Sequence, residues 1–195
     1  IAADRLSEPW WAARHNAVLD QIARHTDPEV ILVGDSITHN YDKSKVPDEN
    51  FRPTWDIFYA PRRALNLGFS GDTTAHLLWR LQHGELDGIA PKVAVLLIGT
   101  NDTAQGKSAA QTRCGIDAVV AEIAARSPQT RILLLGVLPN AISDAKSATD
   151  AAVNAYLAAR YGEDSRVTYL DIGAIFFRAD GTLDSSIFYD PRLPG

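Results

Sequence analysis

Short apolar runs and helical periodicities alternate along most of this chain. The run at 30–33 (Val-Ile-Leu-Val) is β-branched, ends at Gly34 and is too short for a helix, so it predicts a buried strand. Similar runs predict strands at 64–67, 93–98, 132–135 and 167–170, and spaced apolar residues predict helices at 8–24, 74–82, 109–126 and 149–161. Strands without polar alternation that take turns with helices indicate a parallel sheet with both faces covered. We therefore predict a three-layer α/β/α sandwich, flavodoxin-like, with about five parallel strands in the order 2-1-3-4-5.

One domain is predicted over residues 1–195, because no linker, repeat or low-complexity tract interrupts the alternation. The chain begins Ile-Ala-Ala and contains no Met, which favours an exported protein, secreted or periplasmic, with a cytoplasmic location left open. Residues 189–195 read as an unfinished loop after the fifth strand. We expect the domain to be truncated there, with its final helix missing.

Charge and composition exclude several partners. The net charge is −5 and the pI is about 5.5, which disfavours nucleic acid because phosphate binding needs a basic face. No apolar run approaches the ~20 residues of a membrane span. The single cysteine, Cys114, allows no internal disulfide, and we expect it to be buried or half-buried on its helix. No His pair has metal-ligand spacing, so neither a metal nor a cofactor is predicted.

Polar residues follow three of the predicted strands. Ser36 follows the first strand in Gly-Asp-Ser, Gly71 follows the second, and Asn101 follows the third in Gly-Thr-Asn-Asp. Ligands of such sheets bind beyond the carboxyl ends of the strands, so these residues should converge. Two backbone N–H groups and one side-chain amide at one point can form an oxyanion hole. Asp72, before the next helix, is placed to cap it.

These segments also have a structural interpretation, since Gly, Asn, Asp and Ser favour turns. Their positions directly after buried strands favour the functional one. Four aromatic residues between the first two strands are interpreted mainly as packing, with a wall of the acyl or leaving-group pocket as the alternative: Phe51, Trp55, Phe58 and Tyr59.

The motifs resemble those of the SGNH (GDSL) hydrolase family. Gly-Asp-Ser at 34–36, Gly71 and Gly-Thr-Asn-Asp at 99–102 are similar to its first three sequence blocks. The segment 66–86 (NLGFSGDTTAHLLWRLQHGEL) is similar to the catalytic α subunits of intracellular platelet-activating factor acetylhydrolase and bacterial relatives. The resemblance extends from about residue 30 to residue 190.

The resemblance implies a serine esterase that acts on a small-molecule ester, most simply an acetyl ester, without a cofactor or metal. It makes Ser36 the nucleophile, gives the oxyanion hole to Ser36, Gly71 and Asn101, and makes Asp190 the triad carboxylate. Asp35 and Asp102 would brace the site. The matching His should follow Asp190 closely, but Pro-Arg-Leu-Pro-Gly follows instead. We therefore expect the His beyond residue 195, and a homodimer stays open.

Another histidine could replace the missing base. His39 lies three residues after Ser36 and would share its side of a helix, which makes it the candidate substitute. Structural roles are predicted for His15, among core residues, and His25, at a helix end. His76 and His83 lie on the helix after Gly71, and the resemblance gives His76 no catalytic role. Asp35 is not a candidate base, because neighbouring residues on a turn point apart.

Two other functions stay open. A non-catalytic module on the same fold, having lost its His, could keep the pocket as a receptor for an anion or acetyl group. A nucleotide-binding domain is the third interpretation, because the Gly-rich segment 68–73 loosely resembles a phosphate loop. That segment lacks the Gly-Lys-Ser/Thr ending with which such loops hold phosphates.

Overall fold

A five-stranded parallel sheet forms the centre of the computed structural model, which describes residues 1–24, 27–46 and 49–188. In chain order the strands are β1 (Val30–Gly34), the short hairpin β2 (Ser44–Lys45) and β3 (Glu49–Asn50), then β4 (Leu65–Gly68), β5 (Val93–Leu97), β6 (Arg131–Leu135) and β7 (Val167–Leu170). The sheet order is β4-β1-β5-β6-β7, and all neighbours pair in parallel. This is the predicted 2-1-3-4-5 order.

The four long predicted helices are all present. In chain order the helices are α1 (Pro9–Arg24), α2 (Ser36–His39), α3 (Arg52–Phe58), α4 (Thr74–Arg80), α5 (Thr100–Ala104), α6 (Ala109–Arg126) and α7 (Asp144–Tyr161). The predicted start of α7 at residue 149 was wrong by five residues, because the Ser143 hydroxyl caps the helix by accepting from the Lys146 N–H at 3.2 Å.

The main core lies on one face of the sheet. Alternate strand residues such as Ile31, Val33, Leu96 and Leu134 pack there against buried residues of α1, α4, α6 and α7. Side chains alternate across a strand, so these positions form one continuous apolar surface. The face predicted for α6 (Ile116, Val119, Val120 and Ile123) is buried in this core.

The opposite face carries the connection from β1 to β4. Leu32, Val95 and Leu135 lie on it, and they share a cavity of about 260 Å³ with Tyr41 and Tyr59 from that connection. Val95 and Leu135 are half-buried, whereas the corresponding residues of the core face are buried.

The strands are added to the sheet on both sides of β1. The chain moves from β1 to β4 on one side, then crosses to β5 on the other and continues outward through β6 and β7. Right-handed crossovers then place the connecting segments on opposite faces, and a crevice opens between β1 and β5 at their carboxyl ends. Ser36 follows β1 and Asn101 follows β5, so the fold places both beside this crevice.

Two further expectations concern the surface. Cys114 is exposed, so its predicted burial was wrong: it lies on the solvent side of α6, between buried Thr112 and Ile116. None of the described helices combines the length and apolar character needed to cross a bilayer. Asp190 and His25 lie outside the described residues.

Candidate active site

The turn from β1 into α2 places Ser36 at the amino end of a helix. Asp35 is the N-cap, and its Oδ1 accepts from the Ile37 N–H at 3.1 Å. The first N–H groups of a helix have no partner within the helix, so the N–H of Ser36 is available to a ligand. The half-buried Ser36 makes no side-chain hydrogen bond to another described residue.

Two glycines let α2 lie directly on the strand ends. A Cβ on Gly34 would stand 2.4 Å from the carbonyl oxygen of Leu97, and one on Gly68 would stand 2.3 Å from the backbone nitrogen of His39. Neither contact is tolerable, since packed atoms have no free space around them. The glycines therefore fix how closely Ser36 approaches the sheet.

The Asp35 carboxyl group is buried in an acidic neighbourhood. Burial raises its pKa to about 7, and the nearby carboxylates of Asp72 and Asp102 contribute to the increase. Its Oδ2 has no hydrogen-bond partner in the described part of the chain. Asp35 thus holds the first turn of α2 through one carboxylate oxygen and leaves the other without a partner among the described residues.

Gly71 occupies an exposed turn between β4 and α4. Its φ of +78° is the left-handed conformation that favours glycine. The Arg5 guanidinium lies against it and donates to the carbonyl oxygen of Ser70 at 2.9 Å and to Asp72 at 3.0 Å. The amino-terminal segment therefore holds the turn that presents the Gly71 N–H.

Asp72 anchors this turn from within the core. Its buried carboxylate accepts from the Trp11 indole N–H and the Arg80 guanidinium, each at 2.8 Å, as well as from Arg5. The prediction that Asp72 caps α4 was wrong. Thr73 is the N-cap, and it forms a capping box with His76. The Asp72 carboxylate instead accepts hydrogen bonds from the side chains of Arg5, Trp11 and Arg80.

Asn101 reaches across from α5 to the Gly71 turn. Its Nδ2 donates to the carbonyl oxygen of Asp72 at 2.9 Å, one residue beyond Gly71. An amide nitrogen carries two protons, so a second N–H remains for a ligand. The half-buried side chain is thus positioned beside the Gly71 turn with one donor uncommitted.

Asp102 joins the same two segments below the surface. Its buried carboxylate accepts from the N–H of Thr74 at 2.9 Å, from the Thr74 hydroxyl at 2.7 Å and from Lys107 at 2.8 Å. These bonds tie α5 to the first turn of α4. Asp102 therefore holds the segment after Asn101 against the start of α4, and its role in the site stays a prediction.

His39 does not pair with Ser36. Its Nδ1 accepts from the N–H of Ser70 at 3.2 Å and lies 3.0 Å from the Ser70 hydroxyl. Burial, together with the positive charge of Arg14, lowers the pKa of His39 to about 4. The ring is neutral near pH 7 but engaged with Ser70, so the structure does not support it as the substitute base.

The other described histidines are also engaged elsewhere. His15 pairs with Glu85, His76 with Thr73, and His83 with the carbonyl oxygen of Trp79. No imidazole of the described ranges is hydrogen bonded to Ser36.

The aromatic residues before β4 divide between two environments. Tyr59 packs on Tyr41 and Trp55, and both tyrosines border the cavity that Ile37 also lines. Phe58 is exposed, which does not fit the expected packing role. The cavity lies next to the helix that carries Ser36, and Phe176 lines it together with Tyr41 and Tyr59.

Sequence reasoning missed the residues that hold the site from outside its motifs. Arg5 supports the Gly71 turn, and the fully buried Arg80 links Asp72 to Glu85. Asp72 and Arg80 are eight residues apart and Arg5 is 67 residues from Asp72, so no local spacing reveals these partnerships. No group of three or more metal-ligating side chains occurs among the residues described.

The five-stranded parallel sheet flanked by helices matches the α/β fold of the GDSL hydrolases. The chain belongs to the GDSL-like lipase/acylhydrolase family, whose model matches residues 32–191. Its fold is that of the SGNH hydrolases, as predicted.

Similar proteins agree with this assignment. Platelet-activating factor acetylhydrolase IB subunit alpha1 of Bos taurus is 34% identical over 186 residues, covering 93% of this chain and 73% of the relative. A solved structure from Streptococcus pneumonia is 22% identical with a TM-score of 0.73, covering 98% of this chain and 90% of the other. A GDSL-like lipase structure from Bacteroides thetaiotaomicron is 18% identical with a TM-score of 0.67, covering 96% and 88%.

Proposed function

We propose that this hydrolase cleaves short-chain carboxylic esters, acetyl esters above all, with Ser36 as the nucleophile. The observation that carries the proposal is the hydrogen bond from the Asn101 amide to the Asp72 carbonyl. It brings the Asn101 amide beside the Gly71 turn. Two of the three expected oxyanion donors, the Asn101 amide and the Gly71 N–H, therefore belong to segments that are hydrogen bonded to each other. The preference for acetyl rests on the related acetylhydrolase subunits.

In the proposed reaction, the Ser36 Oγ bonds to the ester carbonyl carbon while its proton passes to a base. The carbonyl oxygen becomes an oxyanion that accepts from the N–H groups of Ser36 and Gly71 and from the Asn101 amide. The bond to the alcohol then breaks, and the alcohol leaves with the proton. Water attacks the acyl-serine in the same way and releases the acid.

The base in this proposal is a histidine beyond residue 195, oriented by Asp190. Each of the four described histidines already has another partner, and a serine hydroxyl is a weak nucleophile without a base. The rival function is binding without turnover. The engagement of all four described histidines with other partners favours this function as well. An experiment therefore has to supply the base from outside.

The test is hydrolysis of p-nitrophenyl acetate by residues 1–195, with and without added imidazole. The matched controls are Ser36→Ala and Ser70→Ala, since Ser70 is the serine next to His39. Imidazole also reacts with the ester directly, so rates are compared at equal imidazole. We expect imidazole-dependent turnover that Ser36→Ala abolishes and Ser70→Ala retains.

Two results would overturn the proposal. A Ser36→Ala protein with unchanged activity would show that another group reacts. A folded protein that extends past residue 195, binds acetate and never turns over ester would establish the binding function instead.

A further inference from the structure

A buried ion pair on α7 contacts the short helix that carries Asn101. The side chains of Lys146 and Asp150 are 3% and 5% exposed, and their Nζ and Oδ2 atoms lie 2.6 Å apart. The Lys146 ammonium also donates to the hydroxyl oxygen of Thr100 at 3.0 Å. One partner of the pair therefore reaches the first residue of α5.

The other partner reaches a residue further along the same helix. The Thr103 hydroxyl donates to the Oδ1 of Asp150 at 2.6 Å, and the Asn140 amide donates to its Oδ2 at 2.9 Å. Both carboxylate oxygens are thus satisfied, as a buried charge requires. The ion pair contacts α5 at two residues three positions apart, which lie on one face of a helix.

These contacts matter because α5 cannot fix its own orientation. It has five residues, far fewer than a helix needs to be stable alone. Asn101 lies between the two anchored threonines and extends toward Asp72 instead. A rotation of α5 would move the Asn101 amide relative to the Gly71 turn, so the anchor on Thr100 and Thr103 sets the direction of that amide together with the bonds of Asp102 to Thr74.

Stability alone does not explain this pair. Replacing a buried ion pair with apolar residues of similar volume is often neutral or stabilising, whereas apolar residues offer no directed hydrogen bonds. We infer that Lys146 and Asp150 are positioning residues for Asn101, which hold its amide at the oxyanion site. The inference rests on the proposed function for its catalytic meaning, but the positioning itself can be measured separately.

The test compares a double variant with a control that weakens a different set of contacts made by α7. Lys146→Met combined with Asp150→Leu removes both charges and their bonds to α5, and leaves no buried charge unpaired. Asp117→Asn is the control. It weakens the 2.7 Å hydrogen bonds from Tyr156 and Tyr161 of α7 to α6 without touching α5.

The primary readout is the side-chain amide resonance of Asn101 in a ¹⁵N–¹H spectrum, assigned by its loss in Asn101→Ala. We expect this resonance to shift or broaden in the double variant, with a urea midpoint near that of the wild type, and to stay in place in Asp117→Asn. In the ester assay, kcat should fall at least tenfold in the double variant while KM stays unchanged.

An unchanged Asn101 resonance in a folded double variant would overturn the inference, as would an unchanged kcat. A purely structural role predicts both of these. If a chain that extends past residue 195 has no esterase activity, the proposed function fails, and the amide resonance still decides whether Lys146 and Asp150 position Asn101.

Discussion

The side-chain amide of Asn101 donates a 2.9 Å hydrogen bond to the carbonyl oxygen of Asp72. Asp72 immediately follows Gly71 and is held by Arg80 and Trp11 from the core. The bond therefore couples two loops that follow different strands, β4 and β5. This coupling limits how far the two loops can move relative to each other, and the proposed oxyanion hole needs that rigidity.

Asn101→Ala should lower kcat with little change in KM, because the amide acts mainly on the charge that develops in the transition state. Loss of one such donor typically reduces kcat by about 10² to 10³. Asn154→Ala is the matched control, since the Asn154 side chain bonds only the backbone of Val137, at 2.8 and 2.9 Å. Equal losses of kcat in the two variants would argue against a specific role for Asn101.

The Asp35→Asn substitution should change how stability depends on pH. In the folded protein burial raises the pKa of Asp35 to about 7 from the ordinary 3.8, so the folded state binds more protons between these values. Wild-type stability attributable to Asp35 is therefore lost as pH rises from about 4 to 7, by an amount on the order of 4 kcal/mol. Asn removes the charge and can still cap α2.

The measurement for Asp35→Asn is the free energy of unfolding in urea at pH 5 and pH 8. The variant should gain stability relative to the wild type at the higher pH. A difference between the two proteins that is the same at both pH values would show that Asp35 is ionised in the folded state at no cost.

Gly68→Ala should destabilise the protein by about 3 kcal/mol or more, because the new Cβ meets the backbone of α2 and neither part can move easily. Gly106→Ala is the comparison. Gly106 has a φ of +83°, and a Cβ added there would have no heavy atom within 4 Å, so Ala costs only backbone strain of about 1 kcal/mol. Urea unfolding that ranks the two variants in the opposite order would refute the close contact of α2 with β4.

Local sequence patterns correctly predicted the five-stranded sheet and the long helices, because buried parallel strands and amphipathic helices have distinct periodicities. They also located Ser36, Gly71 and Asn101 at the strand ends. The side-chain contacts that hold these residues in place could not be predicted from local sequence patterns. Lys146 and Asp150 have the spacing of an ordinary exposed i, i+4 pair, and only the tertiary packing of α7 against α5 shows that they are buried.

Short elements were missed for a related reason. The five residues of α5 are too few to show a helical periodicity, so this helix was not predicted. Cys114 was predicted to be buried from its residue type, but its place on α6 puts it in solvent. Tertiary packing decides the first case, whereas the periodicity of α6 already places Cys114 opposite the buried face of that helix.

The most direct test of the central claim is to trap the acyl-enzyme and identify the modified residue. The protein is mixed with p-nitrophenyl acetate and imidazole, quenched in acid, digested and analysed by mass spectrometry. The account predicts acetyl on the peptide that contains Ser36, and none there in Ser36→Ala. Turnover accompanied by acetyl on Ser70 beside His39, with Ser36 unmodified, would contradict it.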